Sequence, residues 1–138
     1  MIRITLACAG KLKENYLREA EQEFTKRLGA YCQLEIRCIN EEKMPDNPSP
    51  AVKEQVLARE TDRILKLIPE HSFVVLLDLK GKEISSPQLA EKMEQWMVEG
   101  VSHLTFVIGG PFGYTDALRK RADFRWSFSP LTFTHQMI

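Results

Sequence analysis

Strands alternating with helices along the whole sequence point to an α/β domain built on a parallel sheet. Residues 73–79 and 104–108 are almost unbroken apolar sequence, the pattern of strands covered on both faces. Between them Leu89, Met93, Trp96 and Met97 recur at helical spacing. A chain of 138 residues, 43% hydrophobic and 28% charged, can build its own core. Residues 1–138 therefore read as a single domain, without repeats or low-complexity segments.

The elements follow in order. Residues 2–9 are β-branched and apolar, a buried strand closed by Gly10. Over 15–28, Leu17, Ala20, Phe24 and Leu28 mark one helical face, and Gly29 ends the helix as a C′ residue. Residues 33–39 alternate Leu34, Ile36 and Cys38 against their neighbours, a second strand. Residues 41–50, with Pro45, Pro48 and Pro50, form a mobile loop. A long helix spans 52–68 with Val56, Leu57, Ile64, Leu67 and Ile68 inward; Glu60 interrupts that side and reads as a solvated flank residue. After the strand 73–79, Ser86 at N-cap and Pro87 at N1 open a helix that Gly100 ends. Its Met and Trp stripe is core. The strand 104–108 runs into Gly109-Gly110-Pro111-Phe112-Gly113. Thr115 caps a short basic helix through Ala122, and 124–128 is the fifth strand.

Lys plus Arg and Asp plus Glu are equal at 19 each, so net charge points to no nucleic acid, membrane or acidic partner. A local patch can act without it. Arg119, Lys120, Arg121 and Arg125 form such a patch near the Gly-rich turn, either a phosphate contact or a solvated helix face. Cys8, Cys32 and Cys38 show no metal spacing; Cys8 and Cys38 read as small buried hydrophobes suited to a reducing cytosol. The first residues lack a signal-peptide layout, and no stretch approaches the roughly 20 apolar residues of a membrane span.

In open parallel sheets ligands bind at the carboxyl ends of the strands. Three ends stand out: Leu77-Asp78-Leu79, Gly109-Gly110 and Phe128-Ser129. Two glycines without Cβ atoms let a ligand approach the backbone, though a tight strand-to-helix turn explains them equally well. No Gly-x-Gly-x-x-Gly follows the first strand, and Gly10-Lys11 lacks the rest of a P-loop. No Gly-x-Ser-x-Gly elbow is present, His71 and His103 read as surface histidines, and no His/Cys/Asp set has ligand spacing.

The late motifs carry a resemblance. Residues 106–113 (Phe-Val-Ile-Gly-Gly-Pro-Phe-Gly) and 126–137 (Trp-Ser-Phe-Ser-Pro-Leu-Thr-Phe-Thr-His-Gln-Met) closely resemble the small SPOUT-class enzymes that methylate N3 of a pseudouridine in large-subunit ribosomal RNA. Ala9-Gly10-Lys11-Leu12-Lys13 and Leu77-Asp78-Leu79-Lys80-Gly81-Lys82 match as well, and the likeness covers essentially the whole chain.

The resemblance implies a trefoil knot near the C-terminal side, an exception to ordinary chain paths. It also implies a homodimer, a cytoplasmic location and S-adenosylmethionine as methyl donor, with no metal. The implied donor site is Leu77, Gly109 and the loop Phe128, Ser129, Pro130, Leu131, Thr132 and Phe133; Arg119, Lys120 and Arg125 are the candidate RNA contacts. The implied partner is the ribosome through its large-subunit RNA, not DNA or a membrane. No residue is assigned as the base that deprotonates N3, and His135 reads as packing in the core or knot. Family members continue through a further helix and tail, whereas this sequence ends at Ile138, so the expectation is a truncated chain with an incomplete knot, dimer interface and acceptor side. Two alternatives stay open: an inactive α/β binding module, and a methyltransferase of the same class with another RNA base or a tRNA as acceptor.

Overall fold

A computed structural model describes residues 1–138. The elements are β1 (Ile2–Ala9), α1 (Asn15–Leu28), β2 (Cys32–Ile39), α2 (Pro50–Leu65), β3 (Phe73–Glu83), α3 (Ser86–Val98), β4 (His103–Ile108), α4 (Asp116–Arg121) and β5 (Phe124–Ser127), then a 3-10 turn at His135–Met137. The five strands form one parallel sheet in the order β2-β1-β4-β3-β5. The parallel α/β architecture expected from the alternation is therefore observed.

Side chains alternate across the pleat, so each strand feeds two cores. On one face Ala7, Ala9, Val74, Leu76 and Val107 pack with Ile64 and Ile68 of the α2 region and Leu118 of α4. On the other, Val75 and Leu104 pack with Trp96 of α3. The Trp96 ring lies 4.4 Å from Phe73 and 5.6 Å from Phe124, centroid to centroid. Ile64, Leu76, Leu104 and Leu118 are completely buried. Truncating any of them to Ala removes about 2–5 kcal/mol of stability.

Several local expectations need correction. Glu60 is not a solvated flank residue: it is 6% exposed and accepts a hydrogen bond from the Glu42 backbone N–H at 3.0 Å. The N-cap of α3 is Ser85, not Ser86; Ser85 and Gln88 bond each other's backbone reciprocally, satisfying two donors that Ser86 could not. α2 begins two residues early because Ser49 caps it, with Pro50 at the first position. Thr115 occupies the N-cap of α4, but its side chain makes no capping bond; its N–H donates instead to Thr61 Oγ1 at 3.1 Å. Gly29 closes α1 with a right-handed φ of -58°, not the left-handed C′ conformation.

The apolar stripe of α1 is helical but not buried: Phe24 is 60% exposed and Leu28 42%. α1 lies beside β2, the edge of the sheet, where no second helix closes over it. Met97 is likewise 43% exposed, since Trp96 takes the inward position of that turn. His71 is exposed as expected. His103 is instead half-buried, with Nε2 2.7 Å from Thr5 Oγ1; burial first, then Arg3, holds its pKa below the ordinary value. Cys8 and Cys38 are register partners on β1 and β2 and are half-buried, not buried; burial and the facing Cys38 push the Cys8 thiol up. Cys32 is buried. No helix is long and apolar enough to cross a membrane.

Candidate active site

After β5, at one edge of the sheet, the chain turns back across the carboxyl ends of the strands. His135 Nε2 comes within 2.6 Å of the Ala9 carbonyl at the end of β1. β3 and β4 lie between β5 and β1 in the sheet, so residues 128–134 arch over both on the way. Beneath the arch is a cavity of about 580 Å³, within the range of small-molecule sites. Its walls come from the end of β3, the turn after β4 and the arch. Leu77, Gly109, Phe128, Ser129, Pro130, Leu131, Thr132 and Phe133 all line it. Residues up to 56 positions apart in sequence are thus brought into one concavity at the carboxyl end of a parallel sheet.

Close packing holds the two strand ends. Tyr114 Oη donates to the Leu77 carbonyl at 2.9 Å, and the ring lies where a side chain on Gly109 would project. The Arg119 guanidinium stacks 4.8 Å from the centre of that ring. Burial, then the nearby Asp78 carboxylate, pushes the Tyr114 phenol up to about 12. It is therefore a hydrogen-bond donor throughout the physiological range. Gly110 is required for a similar reason: a Cβ there would collide with the Glu60 carboxylate. Gly113 takes a φ of +94°, a left-handed conformation that favours glycine.

Two polar groups at the cavity have no partner. Ser127 Oγ and Trp126 Nε1 are buried and make no hydrogen bond, and both residues line the cavity. A buried polar group without a partner is costly, so a ligand with polar edges would satisfy what the protein leaves open. Around them Phe112, Phe128, Leu131 and Phe133 are between 44% and 68% exposed. Apolar walls with a few convergent polar groups suit a ligand that carries both a flat heterocycle and polar substituents.

The basic residues divide. Arg119 lines the cavity, with Nε 3.7 Å from Asp78 Oδ2. Arg125 lies outside it and reaches the same carboxylate oxygen at 3.4 Å. Lys120 faces Asp116 at 3.8 Å and is largely exposed. The expected trio is therefore not one cluster: Asp78, buried and shared, organises two members, while the third sits on the outer face of α4.

The family model described as "Predicted SPOUT methyltransferase" matches residues 2–138. The chain belongs to the SPOUT methyltransferase family. It is 45% identical over 99% of its length to the ribosomal RNA large subunit methyltransferase H of Acetivibrio thermocellus, covering 86% of that protein. It is likewise 45% identical over 100% of its length to the protein of that name from Desulfitobacterium hafniense, and 44% identical over 99% to that from Bifidobacterium adolescentis, covering 86% of each. Within this SPOUT methyltransferase, Tyr114, Ser127, Trp126 and Glu60 were not singled out from the sequence for the site. Tyr114 follows directly on the Gly-rich run, the one local signal that could have flagged it. Nothing in the sequence marks Glu60 as the residue that meets Gly110.

Proposed function

We propose that this chain transfers a methyl group from S-adenosylmethionine to N3 of a pseudouridine in large-subunit ribosomal RNA. The observation that carries the reading is the cavity under the 128–134 arch, in a family whose curated relatives are named as large-subunit ribosomal RNA methyltransferases. The residues present fit the donor. The Gly109-Gly110 turn lines the cavity, the apolar wall takes its purine, and Ser127 Oγ and Trp126 Nε1 offer hydrogen bonds to its polar edges. Leu77, Gly109 and residues Phe128 to Phe133 are its binding residues in this reading.

The donor supplies an already activated methyl on a sulfonium, so the transfer calls for neither a metal nor a covalent enzyme intermediate. What the chain contributes is alignment and exclusion of water. The arch closes over the strand ends, and His135 anchors its far side to β1. Tyr114 fixes the distance between the ends of β3 and β4. Arg119, Lys120 and Arg125 supply positive charge toward the RNA phosphates. No side chain is assigned as the base that removes the N3 proton.

Residues 1–138 act as a single domain, the crossing of 128–134 is the first pass of the trefoil path, and the working unit is a cytoplasmic homodimer docked on the ribosome. With equal numbers of acidic and basic residues, recognition rests on shape and local charge more than on a global field.

Two measurements test the proposal. Calorimetric titration with S-adenosylhomocysteine, the demethylated donor, is expected to show micromolar binding; its absence would reduce the chain to a binding module of another kind. Methyl incorporation into ribosomes compared with tRNA then tests the acceptor. Label in tRNA and none in ribosomes would replace the acceptor and keep the chemistry.

A further inference from the structure

A second cavity, of about 300 Å³, lies beside the first. Lys80, Lys82, Arg119 and Arg125 line it, and the carboxylate in its wall is Asp123. Asp123 is already committed: Oδ2 accepts from the Val74 N–H at 2.8 Å and lies 3.6 Å from Arg121. Asp78, just behind, is taken by Arg119 and Arg125 together. Neither Lys80 nor Lys82 forms an ion pair. The concavity therefore holds a surplus of positive charge with no internal partner.

The backbone builds this arrangement. β3 bulges against β5, so that Leu77 and Lys82 both register with Trp126. The bulge is pressed onto β5 at Gly81, where any Cβ would come within 2.6 Å of the Arg125 carbonyl carbon and oxygen. The Lys80 N–H donates to Asp78 Oδ1 at 3.0 Å and fixes the other end. Bulges re-aim side chains beside functional sites, and this one sets a lysine on each side of the glycine, at the mouth of a cavity with two arginines. Lys80 and Arg119 line both cavities, so the two are adjacent and share a wall.

We infer that this cavity is a phosphodiester subsite, in which Lys80, Lys82, Arg119 and Arg125 hold a backbone phosphate of the RNA strand whose base enters the neighbouring cavity. The inference rests on the RNA methyltransferase reading and adds Lys80 and Lys82 to it. Two arginines oriented by a buried carboxylate give directional donors, and two unpaired lysines supply the neutralising charge.

Lys82 lines the basic cavity but not its neighbour and is exposed, which makes it the residue to change. The dissociation constant for intact ribosomes is measured by co-sedimentation over a series of salt concentrations, for the unaltered protein, Lys82→Ala and Lys82→Arg. S-adenosylhomocysteine affinity is measured on each in parallel. Lys82→Ala is expected to weaken ribosome binding about ten-fold. It should also flatten the dependence of log K on log salt by about 0.7–0.9, the loss of one phosphate contact. Lys82→Arg should restore both. Unchanged ribosome affinity and slope in Lys82→Ala, with the donor product still bound, would overturn the subsite and leave methyl transfer standing. Failure of the unaltered protein to bind S-adenosylhomocysteine would remove both. Competition by inorganic phosphate that is lost in Lys82→Ala, with the ribosome slope unchanged, would assign the cavity to a free anion and overturn the RNA source.

Discussion

The carboxylate of Glu60 occupies the space that a side chain on Gly110 would need. Glu60 comes from the inner side of α2 and Gly110 from the turn after β4, so a side chain at position 110 would have to displace the Glu60 carboxylate. Gly110→Ala is expected to cost about 1–3 kcal/mol as an overpacked contact. The test is denaturant unfolding of Gly110→Ala, Glu60→Ala and the double variant. The two changes should couple by more than about 0.5 kcal/mol, because removing the carboxylate makes room for the methyl. Additive costs would mean that the turn rejects a side chain for some other reason.

Tyr114 does two jobs at the floor of the site, bonding the Leu77 carbonyl and filling the space beside Gly109. Tyr114→Phe keeps the ring and removes the hydroxyl. The expected loss is about 0.5–1.5 kcal/mol of stability. Because the bond spans the ends of β3 and β4, affinity for S-adenosylhomocysteine should fall with it. Calorimetry showing native affinity in a destabilised Tyr114→Phe would mean that the hydroxyl braces the fold without setting the site.

How much of this was legible in the sequence depended on how local each signal was. The continuous apolar runs at β3 and β4 gave buried parallel strands, and the Gly109-Gly110 turn and the 128–133 loop could be named because short motifs carry them. What was missed is relational. Glu60 is one carboxylate on a helical face, and its burial follows from a glycine 50 positions away and a backbone N–H in the 41–50 segment. The apolar residues of α1 have the right period, but period shows which face is apolar and not what lies against it. The sharing of Asp78 by Arg119 and Arg125 needs the register of β3 with β5, including its bulge, which no spacing rule supplies.

Ser127 permits a prediction in which stability and binding move differently. Its hydroxyl is buried without a hydrogen-bond partner, so Ser127→Ala should leave stability unchanged or slightly raised. If that hydroxyl is a donor contact, S-adenosylhomocysteine affinity should drop about five- to ten-fold, the worth of one hydrogen bond. Thermal unfolding with and without the ligand reads both quantities, since ligand stabilisation follows affinity. Equal ligand-induced shifts in the two proteins would take Ser127 out of the site.

Glu60 also makes stability depend on pH. Burial, the largest influence, raises its carboxyl above the ordinary glutamate value; the Glu42 N–H opposes this, the charges of Glu41 and Glu42 add to it, and His135 lowers it. With the folded value above the unfolded one, the native state holds its proton more tightly. The favourable contribution is present at low pH and is lost as pH rises from the ordinary glutamate range through the raised value. Glu60→Gln carries no such dependence, and its amide oxygen can still accept from the Glu42 N–H. The stability of Glu60→Gln relative to the unaltered protein should therefore increase as pH rises, then level off once the native carboxyl is ionised. Melting temperatures of both proteins between about pH 4 and about pH 8 give that difference directly. A flat difference would show that Glu60 is as well solvated in the native state as in the unfolded chain. A difference falling with pH would show that the His135 side chain and the Glu42 N–H outweigh burial, making the ionised carboxylate the form the fold prefers.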